Sequence, residues 1–186
     1  MLDKKQLRKK YYKIRKNNYY EISDNFFKPL INLLDKLFKK KKIYLSSYYP
    51  SNYEVNTMNL FNLIKNKKKI KILLPVINLG DKLTFVKWDL LDILKVNKYG
   101  ILEPAIKKKF LVPRVALIPL LAFDKKKFRL GYGKGYYDKF LGKYLKMNKN
   151  ILTIGVAFSF QKYNKLPISK LDVKLDYILT EKGFIK

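Results

Sequence analysis

The feature of the sequence that most constrains the fold is a short apolar run at residues 115–123, which a glycine-rich turn and a helical pattern follow directly. A run this short and apolar predicts a strand buried at the centre of a sheet, although Pro119 interrupts it. Apolar runs at 43–49, 70–76 and 151–158 have the same character, and segments with helical spacing separate them. This alternation predicts an α/β fold: a three-layer α/β/α sandwich with a mixed, mostly parallel central sheet.

The N-terminal residues predict a helical arm outside this sandwich. Residues 3–17 are basic and bring Leu7, Tyr11 and Ile14 to one helical face. A second helix is expected after Ser23, whereas residues 89–114 follow no regular pattern. No internal repeat and no Pro/Gly/Ser linker divides the chain, so a single domain over 1–186 is expected.

The composition excludes several kinds of catalysis, because the chain contains neither cysteine nor histidine. Disulfides, thiolate nucleophiles and zinc or iron–sulfur sites with Cys ligands are therefore excluded. A Ser-His-Asp triad and the usual base near neutral pH are excluded as well. Any chemistry has to use carboxylates, Lys, Arg, Tyr, hydroxyls, backbone dipoles or a hard cation with oxygen ligands.

The hydropathy pattern indicates a soluble protein. No apolar run reaches the roughly 18–20 residues that a membrane span requires. The basic N-terminal residues are followed by no apolar segment, which argues against a secretory signal, and they lack the Ser-rich character of an organellar transit peptide. A cytoplasmic protein without membrane contact is expected.

The formal charge is +28, from 42 Lys and Arg residues against 14 Asp and Glu residues. A charge of this size is typical of nucleic-acid binding. However, Arg occurs only at positions 8, 15, 114 and 129, whereas specific nucleic-acid readers rely on bidentate Arg contacts. Lys, Asn, Ile, Tyr and Phe are all abundant, and A/T-rich codons encode them. Codon bias and nucleic-acid binding both remain open, and either way the charge favours anionic small molecules.

The segment 129–138 has the character of a polyphosphate site. Glycines at 131, 133 and 135 let the backbone approach a ligand closely, and amides at the entry of a helix attract an anion. Arg129 and Lys134 add positive charge, and Asp138 could hold Mg²⁺ through oxygen. The pattern fits neither Walker A nor the dinucleotide fingerprint, since Gly135 follows Lys134 and Tyr stands at 136. The glycine spacing alone leaves a merely flexible turn as an equal alternative.

The longer stretch LIPLLAFDKKKFRLGYGKGYYDKFL, at 117–141, resembles the signature of the 5-formyltetrahydrofolate cyclo-ligase family. That family has a strand ending in Pro-x-x-x-Phe-Asp and then Arg-Leu-Gly-x-Gly-x-Gly-Tyr-Tyr-Asp, and every fixed position is matched. The segments at 4–8, 53–57 and 172–181 are similar to further parts of the family pattern, as are Trp88 and Glu103-Pro104. The order and approximate spacing of these segments agree over nearly the whole chain.

The resemblance implies an ATP-dependent closure of 5-formyltetrahydrofolate to 5,10-methenyltetrahydrofolate, with release of ADP and phosphate. The formyl oxygen is a poor leaving group, so its phosphorylation would give an imidate phosphate that N10 attacks. Phosphoryl transfer requires alignment and charge neutralisation more than a histidine base, which suits this composition. The enzyme would be a ligase that forms a cyclic C–N bond, with ATP as co-substrate and Mg²⁺ as cofactor.

The resemblance also implies roles for individual residues. The catalytic residues would be Arg129 and Lys134. The residues expected to bind ATP are Lys4, Arg8, Arg129, Gly131, Tyr132, Gly133, Lys134, Gly135, Tyr136 and Tyr137. Those expected to bind the folate are Glu54, Trp88 and Tyr136. The carboxylates expected to hold Mg²⁺ are Asp138 and Asp172.

Simpler roles remain open for several of these residues. Tyr136 and Tyr137 could belong to the core, Asp138 could be a charge at a helix N-terminus, and Asp172 could pair with a lysine. Lys4 and Arg8 could form a solvated helix face, and Glu54 could lie on the surface.

The expected partners are ATP and 5-formyltetrahydrofolate, with or without a polyglutamate tail, and the expected state is a monomer. No specific nucleic acid is expected. Three alternatives remain: a basic nucleic-acid-binding module, a nucleotide or sugar-phosphate enzyme on a similar fold, and a family member that binds folate without turnover.

Overall fold

The computed structural model describes residues 2–39, 41–78, 80, 82–105, 109–147 and 150–185. Its helices are α1 (Lys4–Asn18), α2 (Lys28–Phe38), α3 (Met58–Ile64) and α4 (Tyr136–Lys146), and single 3₁₀ turns span Asp24–Phe27 and Ser159–Gln161. Its strands are β1 (Ile43–Ser46), β2 (Ile70–Asn78), β3 (Lys82–Lys87), β4 (Leu94–Val96), β5 (Leu102–Pro104), β6 (Val115–Pro119), β7 (Ala122–Asp124), β8 (Arg129–Leu130), β9 (Leu152–Val156), β10 (Lys162–Tyr163), β11 (Tyr177–Thr180) and β12 (Gly183–Ile185).

Seven strands form the main sheet, in the order β12-β11-β9-β6-β1-β2-β3. The five inner strands are parallel, and the edge strands β3 and β12 run antiparallel to their neighbours. This confirms the mixed, mostly parallel sheet that the sequence predicts. The strand order reverses next to β1, which pairs with β2 on one side and β6 on the other. Ligands of open α/β sheets bind at such a reversal, outside the carboxyl ends of the strands.

Helices cover both faces of the sheet, because the strands alternate their apolar side chains between two separate cores. On one face, Leu30 and Leu34 of α2 pack in the same cluster as Leu45 and Leu117. On the other face, the α4 side chains Phe140 and Leu141 pack in a cluster with Ala116, Ile118 and Leu73. Each fully buried large side chain stabilises the fold by about 1.5–3 kcal/mol. The sandwich therefore has the three predicted layers.

The N-terminal helix α1 is fixed at its start by a capping box. The Asp3 carboxylate accepts a hydrogen bond from the Gln6 amide at 2.7 Å, and the Gln6 side chain accepts one from the Asp3 amide at 3.0 Å. Its buried stripe is Leu7, Tyr11 and Arg15, at a spacing of four residues. The sequence predicts Ile14 in this stripe, but the structure leaves Ile14 half-buried and buries an arginine instead.

The apolar run at 115–123 is not one strand, contrary to the sequence prediction. β6 ends at Pro119, and β7 belongs to a separate three-stranded sheet with β8 and β10. Between them, the Leu120 carbonyl accepts hydrogen bonds from the Arg15 and Gln161 side chains, and the Leu121 amide donates to the Leu130 carbonyl. Because these partners replace the neighbouring strands of the main sheet, the chain leaves that sheet and turns towards the glycine-rich segment.

Residues 89–114, irregular in sequence, contain the β4–β5 hairpin. Its buried Glu103 carboxylate accepts hydrogen bonds from the Ile77 amide of β2 at 3.1 Å and from the Asn97 side chain at 3.2 Å. Glu103 thereby attaches the hairpin to the main sheet.

Within the described ranges, no helix combines the length and apolarity that crossing a membrane requires. The single domain over 1–186 remains a prediction.

Candidate functional site

A cleft of about 910 Å³ opens at the carboxyl ends of β1 and β6, where the strand order reverses. Its walls come from α1, the loop after β1, the segment between β6 and α4, the β4–β5 hairpin and residues 169–173. The volume lies in the upper part of the range typical of small-molecule sites.

The glycine-rich loop between β8 and α4 forms one wall of the cleft. Gly133 has a φ of +101° and Gly135 a φ of +69°, both in the region that favours glycine. The Arg8 guanidinium donates a hydrogen bond from Nε to the Gly131 carbonyl at 2.9 Å. A Cβ atom at Gly133 would lie only 3.1 Å from Cζ of Arg8. The glycine therefore serves both the backbone conformation and the close approach of a cation from α1.

Arg129 is buried beside this loop and is paired with Asp138. Arg129 is 9% exposed, and its Nη1 and Nη2 atoms lie 3.1 and 3.0 Å from oxygens of the Asp138 carboxylate. Burial lowers the pKa of Arg129, while the charge of Asp138 works against that shift. Its Nε atom has no hydrogen-bond partner in the described part of the chain. Arg129 thus lies in the cleft, with most of its hydrogen-bonding fork directed at Asp138.

A second ion pair joins α1 to the residues that precede β11. Lys4 Nζ lies 2.5 Å from Oδ2 of Asp172, which also accepts hydrogen bonds from the Ser169 amide and hydroxyl. Burial pushes the pKa of Asp172 up, but these hydrogen bonds and the Lys4 charge outweigh it and leave the pKa lowered. Asp172 is therefore ionised near neutral pH, and its ion pair with Lys4 joins this wall of the cleft to α1.

The two carboxylates proposed for Mg²⁺ lie on the same wall, since Asp138 accepts a hydrogen bond from the Val173 amide, next to Asp172, at 3.2 Å. Among the described residues there is no group of three or more acidic side chains that could hold a metal. Mg²⁺ needs no such group, because it commonly binds one or two carboxylates together with substrate phosphates and water. Oδ1 of Asp172 makes no hydrogen bond within the described residues, so this donor set fits the cation.

Glu54 lies on the opposite side of the cleft, in the loop after β1, and is 7% exposed. Its Oε1 atom accepts a hydrogen bond from the Tyr132 hydroxyl at 2.8 Å, and its Oε2 atom accepts one from the Ser51 amide at 2.9 Å. Burial raises its pKa, while the Arg15 charge and these hydrogen bonds counteract the shift. Glu54 is thus a buried acceptor aimed into the cleft and not a surface residue.

Tyrosines line the cleft between Glu54 and the glycine-rich loop. Tyr136 and Tyr99, at the tip of the β4–β5 hairpin, are joined through their hydroxyls, and Lys134 lies over the Tyr99 ring at 5.7 Å. Tyr137 packs partly into the α4 core, yet it is also one of the residues that line the cleft. Burial raises the pKa of Tyr137, so this phenol stays protonated. Tyr137 therefore has both the packing and the site position that the sequence left open, whereas Tyr136 lines the cleft and packs on Tyr99.

Trp88 does not reach the cleft, in contrast to the prediction that it stacks on the substrate. It is 4% exposed and packs against Phe61 and Leu74, on the far side of β2. Its indole N–H donates to the Asp92 carbonyl at 3.4 Å. The aromatic residue that the hairpin region supplies to the cleft is Tyr99.

Sequence reasoning missed three residues of the site. Arg15 is buried behind Tyr132, Tyr48 follows β1, and Tyr99 reaches the cleft from the hairpin. The spacing of Arg15 from Leu7 and Tyr11 is a signal that could have found it, because an arginine at a buried helical position needs partners. No local pattern marks Tyr48 or Tyr99, since their positions depend on the packing of distant segments.

The comparisons with known proteins agree with this geometry. The model of the 5-formyltetrahydrofolate cyclo-ligase family matches residues 1–181. The chain is 29% identical over 186 residues to the 5-formyltetrahydrofolate cyclo-ligase of Haemophilus influenzae, covering 95% of this chain and 96% of that protein. Neither a nucleic-acid-binding module nor another nucleotide or sugar-phosphate enzyme gains support from them.

Solved structures give the same result. The NMR structure of Aquifex aeolicus 5,10-methenyltetrahydrofolate synthetase superposes with a TM-score of 0.73 at 30% identity, covering 98% of this chain and 92% of that one. The Mycoplasma pneumoniae 5,10-methenyltetrahydrofolate synthetase superposes with a TM-score of 0.71 at 26% identity, covering 97% and 99%. With the family match over nearly its whole length and the glycine-rich loop, paired cations and buried carboxylate in one cleft, the chain belongs to the 5-formyltetrahydrofolate cyclo-ligase family.

Proposed function

We propose that this chain closes 5-formyltetrahydrofolate to 5,10-methenyltetrahydrofolate at the expense of ATP, releasing ADP and phosphate. The observation that carries the proposal is one cleft with a glycine-rich, cation-lined wall on one side and a buried carboxylate on the other. The first wall suits a polyphosphate and the second a ring with N–H groups. Membership of the family supplies the reaction that needs both ligands at once.

The loop at 131–135 would receive the ATP phosphates. Its backbone leads into the N-terminus of α4, an eleven-residue helix whose dipole favours an anion there. Lys134 is exposed at the mouth of the loop, and Lys4 and Arg8 approach it from α1. We assign these cations to the neutralisation of charge on the phosphates during transfer.

Arg129 acts on the same phosphates in our scheme, with Asp138 holding its guanidinium in place. The pair is two-pronged, so the direction of the guanidinium plane is set before a ligand arrives. Such a pre-oriented cation costs little reorganisation when charge develops. Arg129 and Lys134 are therefore the catalytic residues that we propose.

Asp172, with Asp138 beside it, is the carboxylate that would hold Mg²⁺. The cation would supply positive charge to the phosphate oxygens when it is bound. Lys4 contacts the same Asp172 carboxylate, so the N-terminal helix and the metal would share this anchor.

Glu54 would orient the folate by accepting hydrogen bonds from N–H groups of the pterin. An acceptor role requires the ionised carboxylate, because a protonated carboxyl would offer a donor instead. The Tyr99 and Tyr136 rings border the same space and could pack on flat ring systems.

The chemistry that follows uses this alignment. The formyl oxygen attacks the γ-phosphorus, the bond to ADP breaks, and an imidate phosphate forms. N10 then attacks the formyl carbon, the C–O bond to phosphate breaks, and N10 gives up its proton as the ring closes. No step requires a histidine, which the chain lacks. The protein contributes alignment and charge stabilisation.

Four finer points belong to the same proposal. The chain works as a monomer, as a single domain over 1–186, in the cytoplasm. It accepts 5-formyltetrahydrofolate with a polyglutamate tail, a choice that the charge of +28 supports because each added glutamate brings negative charge.

Incubation of the full chain with 5-formyltetrahydrofolate, Mg²⁺ and ATP tests the proposal directly. We expect the absorbance band of the methenyl product to appear only when ATP is present. A chain that binds folate but never gives this band would be a family member without turnover.

Lys134→Ala tests the phosphate assignment in the same assay. We expect a higher KM for ATP and a much lower turnover, with an unchanged circular dichroism spectrum and thermal midpoint. Lys182→Ala is the matched control, since Lys182 is an exposed lysine in the turn between β11 and β12. Normal turnover of Lys134→Ala at limiting ATP would show that Lys134 does not serve the phosphates.

A further inference from the structure

Arg15 is a buried cation that the proposed mechanism does not use. It is 1% exposed and belongs to α1, although its guanidinium reaches three other parts of the chain. Nη1 donates to the carbonyl of Leu120, the residue after β6, at 3.0 Å, and Nη2 donates to the Asn52 carbonyl at 2.6 Å. Nη2 also donates to the Tyr132 hydroxyl. One side chain thus joins the N-terminal arm, the loop of Glu54 and the glycine-rich loop.

The Tyr132 hydroxyl carries this contact on to Glu54. It accepts a hydrogen bond from Arg15 and donates one to Oε1 of Glu54 at 2.8 Å. The Arg15 guanidinium also lies over the Tyr132 ring, 5.5 Å from its centroid. The result is a continuous chain from cation to phenol to carboxylate. Its middle member stands between Gly131 and Gly133, within the loop that faces the phosphates.

The backbone that leads into Glu54 needs such support. Asn52 and Tyr53 both have positive φ, at +49° and +62°, and for a residue as large as tyrosine this is an unfavourable conformation. The Asn52 carbonyl is one of the two backbone groups that Arg15 holds. The Tyr132 hydroxyl holds one carboxylate oxygen of Glu54, and the Ser51 amide holds the other. Arg15 therefore restrains both the loop that carries Glu54 and the phenol that orients it.

A lysine could not replace these contacts. The guanidinium donates in several fixed directions at once and lies over the Tyr132 ring, whereas an ammonium is a single compact charge. A role confined to anchoring α1 would need only the contact with Leu120. The additional contacts with Asn52 and Tyr132 instead support Glu54, the carboxylate proposed to bind the folate.

We propose that Arg15 and Tyr132 are positioning residues that couple the two halves of the cleft, so that ordering of the glycine-rich loop by nucleotide fixes Glu54 for the folate. The inference rests on the proposed function and extends it. Tyr132 lies in the glycine-rich loop and bonds to Glu54, the carboxylate that we assign to folate binding. Each ligand therefore favours the same arrangement of the loop. Coupling between sites is reciprocal, so nucleotide tightens folate binding and folate tightens nucleotide binding by the same factor.

The coupling is measured by titrating the full chain with 5-formyltetrahydrofolate in the absence and the presence of a non-hydrolysable ATP analogue with Mg²⁺. For the wild type we expect the analogue to lower the Kd for the folate by roughly 5-fold or more. Tyr132→Phe keeps the ring and removes the hydroxyl, and it is expected to reduce this factor to near one. Tyr11→Phe is the matched control: it removes a buried hydroxyl that bonds to the Lys162 carbonyl and leaves the coupling at the wild-type value.

Arg15→Lys is expected to lose the coupling as Tyr132→Phe does. Should the buried lysine prevent folding, Tyr132→Phe decides the matter, because its hydroxyl lies at the cleft and its ring is partly exposed. Retention of the wild-type factor in Tyr132→Phe, or a wild type without any coupling, would overturn the inference.

A pH profile separates positioning from a purely structural role. The ionisable and charged groups that face Glu54 are Arg15, Tyr48, Tyr132 and Tyr137, and of these Arg15 and the Tyr132 hydrogen bond favour the carboxylate. Loss of the Tyr132 hydroxyl should therefore move the acid limit of folate binding to higher pH, whereas Tyr11→Phe leaves it in place. An unmoved limit in Tyr132→Phe would contradict the positioning role.

The assay distinguishes failure of this inference from failure of the proposed function. Formation of the methenyl product by the wild type establishes the function independently of the coupling factor. A wild type that forms the product but shows no coupling overturns the inference alone. A wild type that neither binds the folate nor forms the product overturns both.

Discussion

Replacement of Gly133 by alanine gives the sharpest test of the nucleotide loop, because the structure assigns this glycine two separate constraints. Its φ of +101° is a conformation that alanine rarely adopts, and holding alanine there costs about 1–3 kcal/mol. In addition, the new Cβ would lie 3.1 Å from Cζ of Arg8, closer than ordinary van der Waals contact. Either the loop or Arg8 has to move.

The displacement should appear in ATP binding. Arg8 would lose its hydrogen bond to the Gly131 carbonyl, and a hydrogen bond to a charged group contributes about 1.5–3 kcal/mol. At 1.4 kcal/mol for each factor of ten, we expect the KM for ATP to rise roughly 10- to 100-fold. The KM for 5-formyltetrahydrofolate at saturating ATP should change much less. Initial rates of methenyl formation over a range of ATP concentrations measure both constants.

Gly183→Ala is the matched control for backbone strain. Gly183 has a φ of +95° at the start of β12, and among the described residues beyond its chain neighbours no atom lies within 4 Å of a Cβ placed there. Both variants should lose stability, by about 2–4 °C in Tm for each kcal/mol, but only Gly133→Ala should lose affinity for ATP. An unchanged KM for ATP in Gly133→Ala, or an equal rise in Gly183→Ala, would refute the reasoning.

The remaining predictions concern three single side chains. Glu54→Gln should raise the KM for the folate about 10-fold or more and the KM for ATP much less, since a charged acceptor is lost. Equal losses in both would argue against a pterin contact. Because burial raises the pKa of Glu54 and its ionised form accepts the hydrogen bonds, kcat/KM for the folate should fall as pH drops through that raised pKa, and Glu54→Gln should lack this acid limb. Asp138→Asn leaves Arg129 buried without its counter-charge and should lower the free energy of unfolding by about 3–5 kcal/mol in urea titrations; an unchanged midpoint would mean that the pair adds nothing to the fold. Trp88→Phe should lower the free energy of unfolding by about 1–3 kcal/mol and leave the KM for the folate unchanged, since Trp88 packs in the core. An altered KM for the folate would show that Trp88 does contribute to the site.

The sequence predicts the nucleotide wall well because that wall is local in the chain. Arg129, the three glycines and Asp138 are close neighbours in sequence, so their spacing alone brings them together between β8 and α4. The positive φ at Gly133 and Gly135 follows from the same short stretch. The layered fold is predictable for a similar reason, since the alternation of apolar runs and helical spacing records which faces are buried.

Other features depend on packing between segments that lie far apart in the chain. Lys4 meets Asp172 across 168 residues, and Tyr132 meets Glu54 across 78. No periodicity encodes such meetings, because they follow from how α1 and the loop after β1 dock at the reversal of strand order. The same docking decides which aromatic residue reaches the cleft, and it selects Tyr99 over Trp88.

The sequence by itself thus determined the α/β architecture, the family and the polyphosphate character of the glycine-rich loop, since each follows from neighbouring residues and their burial pattern. Only the tertiary structure decided that Arg15 is a buried member of the site, that Arg129 is held by Asp138, and that the run at 115–123 divides at Pro119. The physical reason is that a buried charge or carbonyl must find a partner, and the available partner is set by the three-dimensional fold and not by the residues beside it.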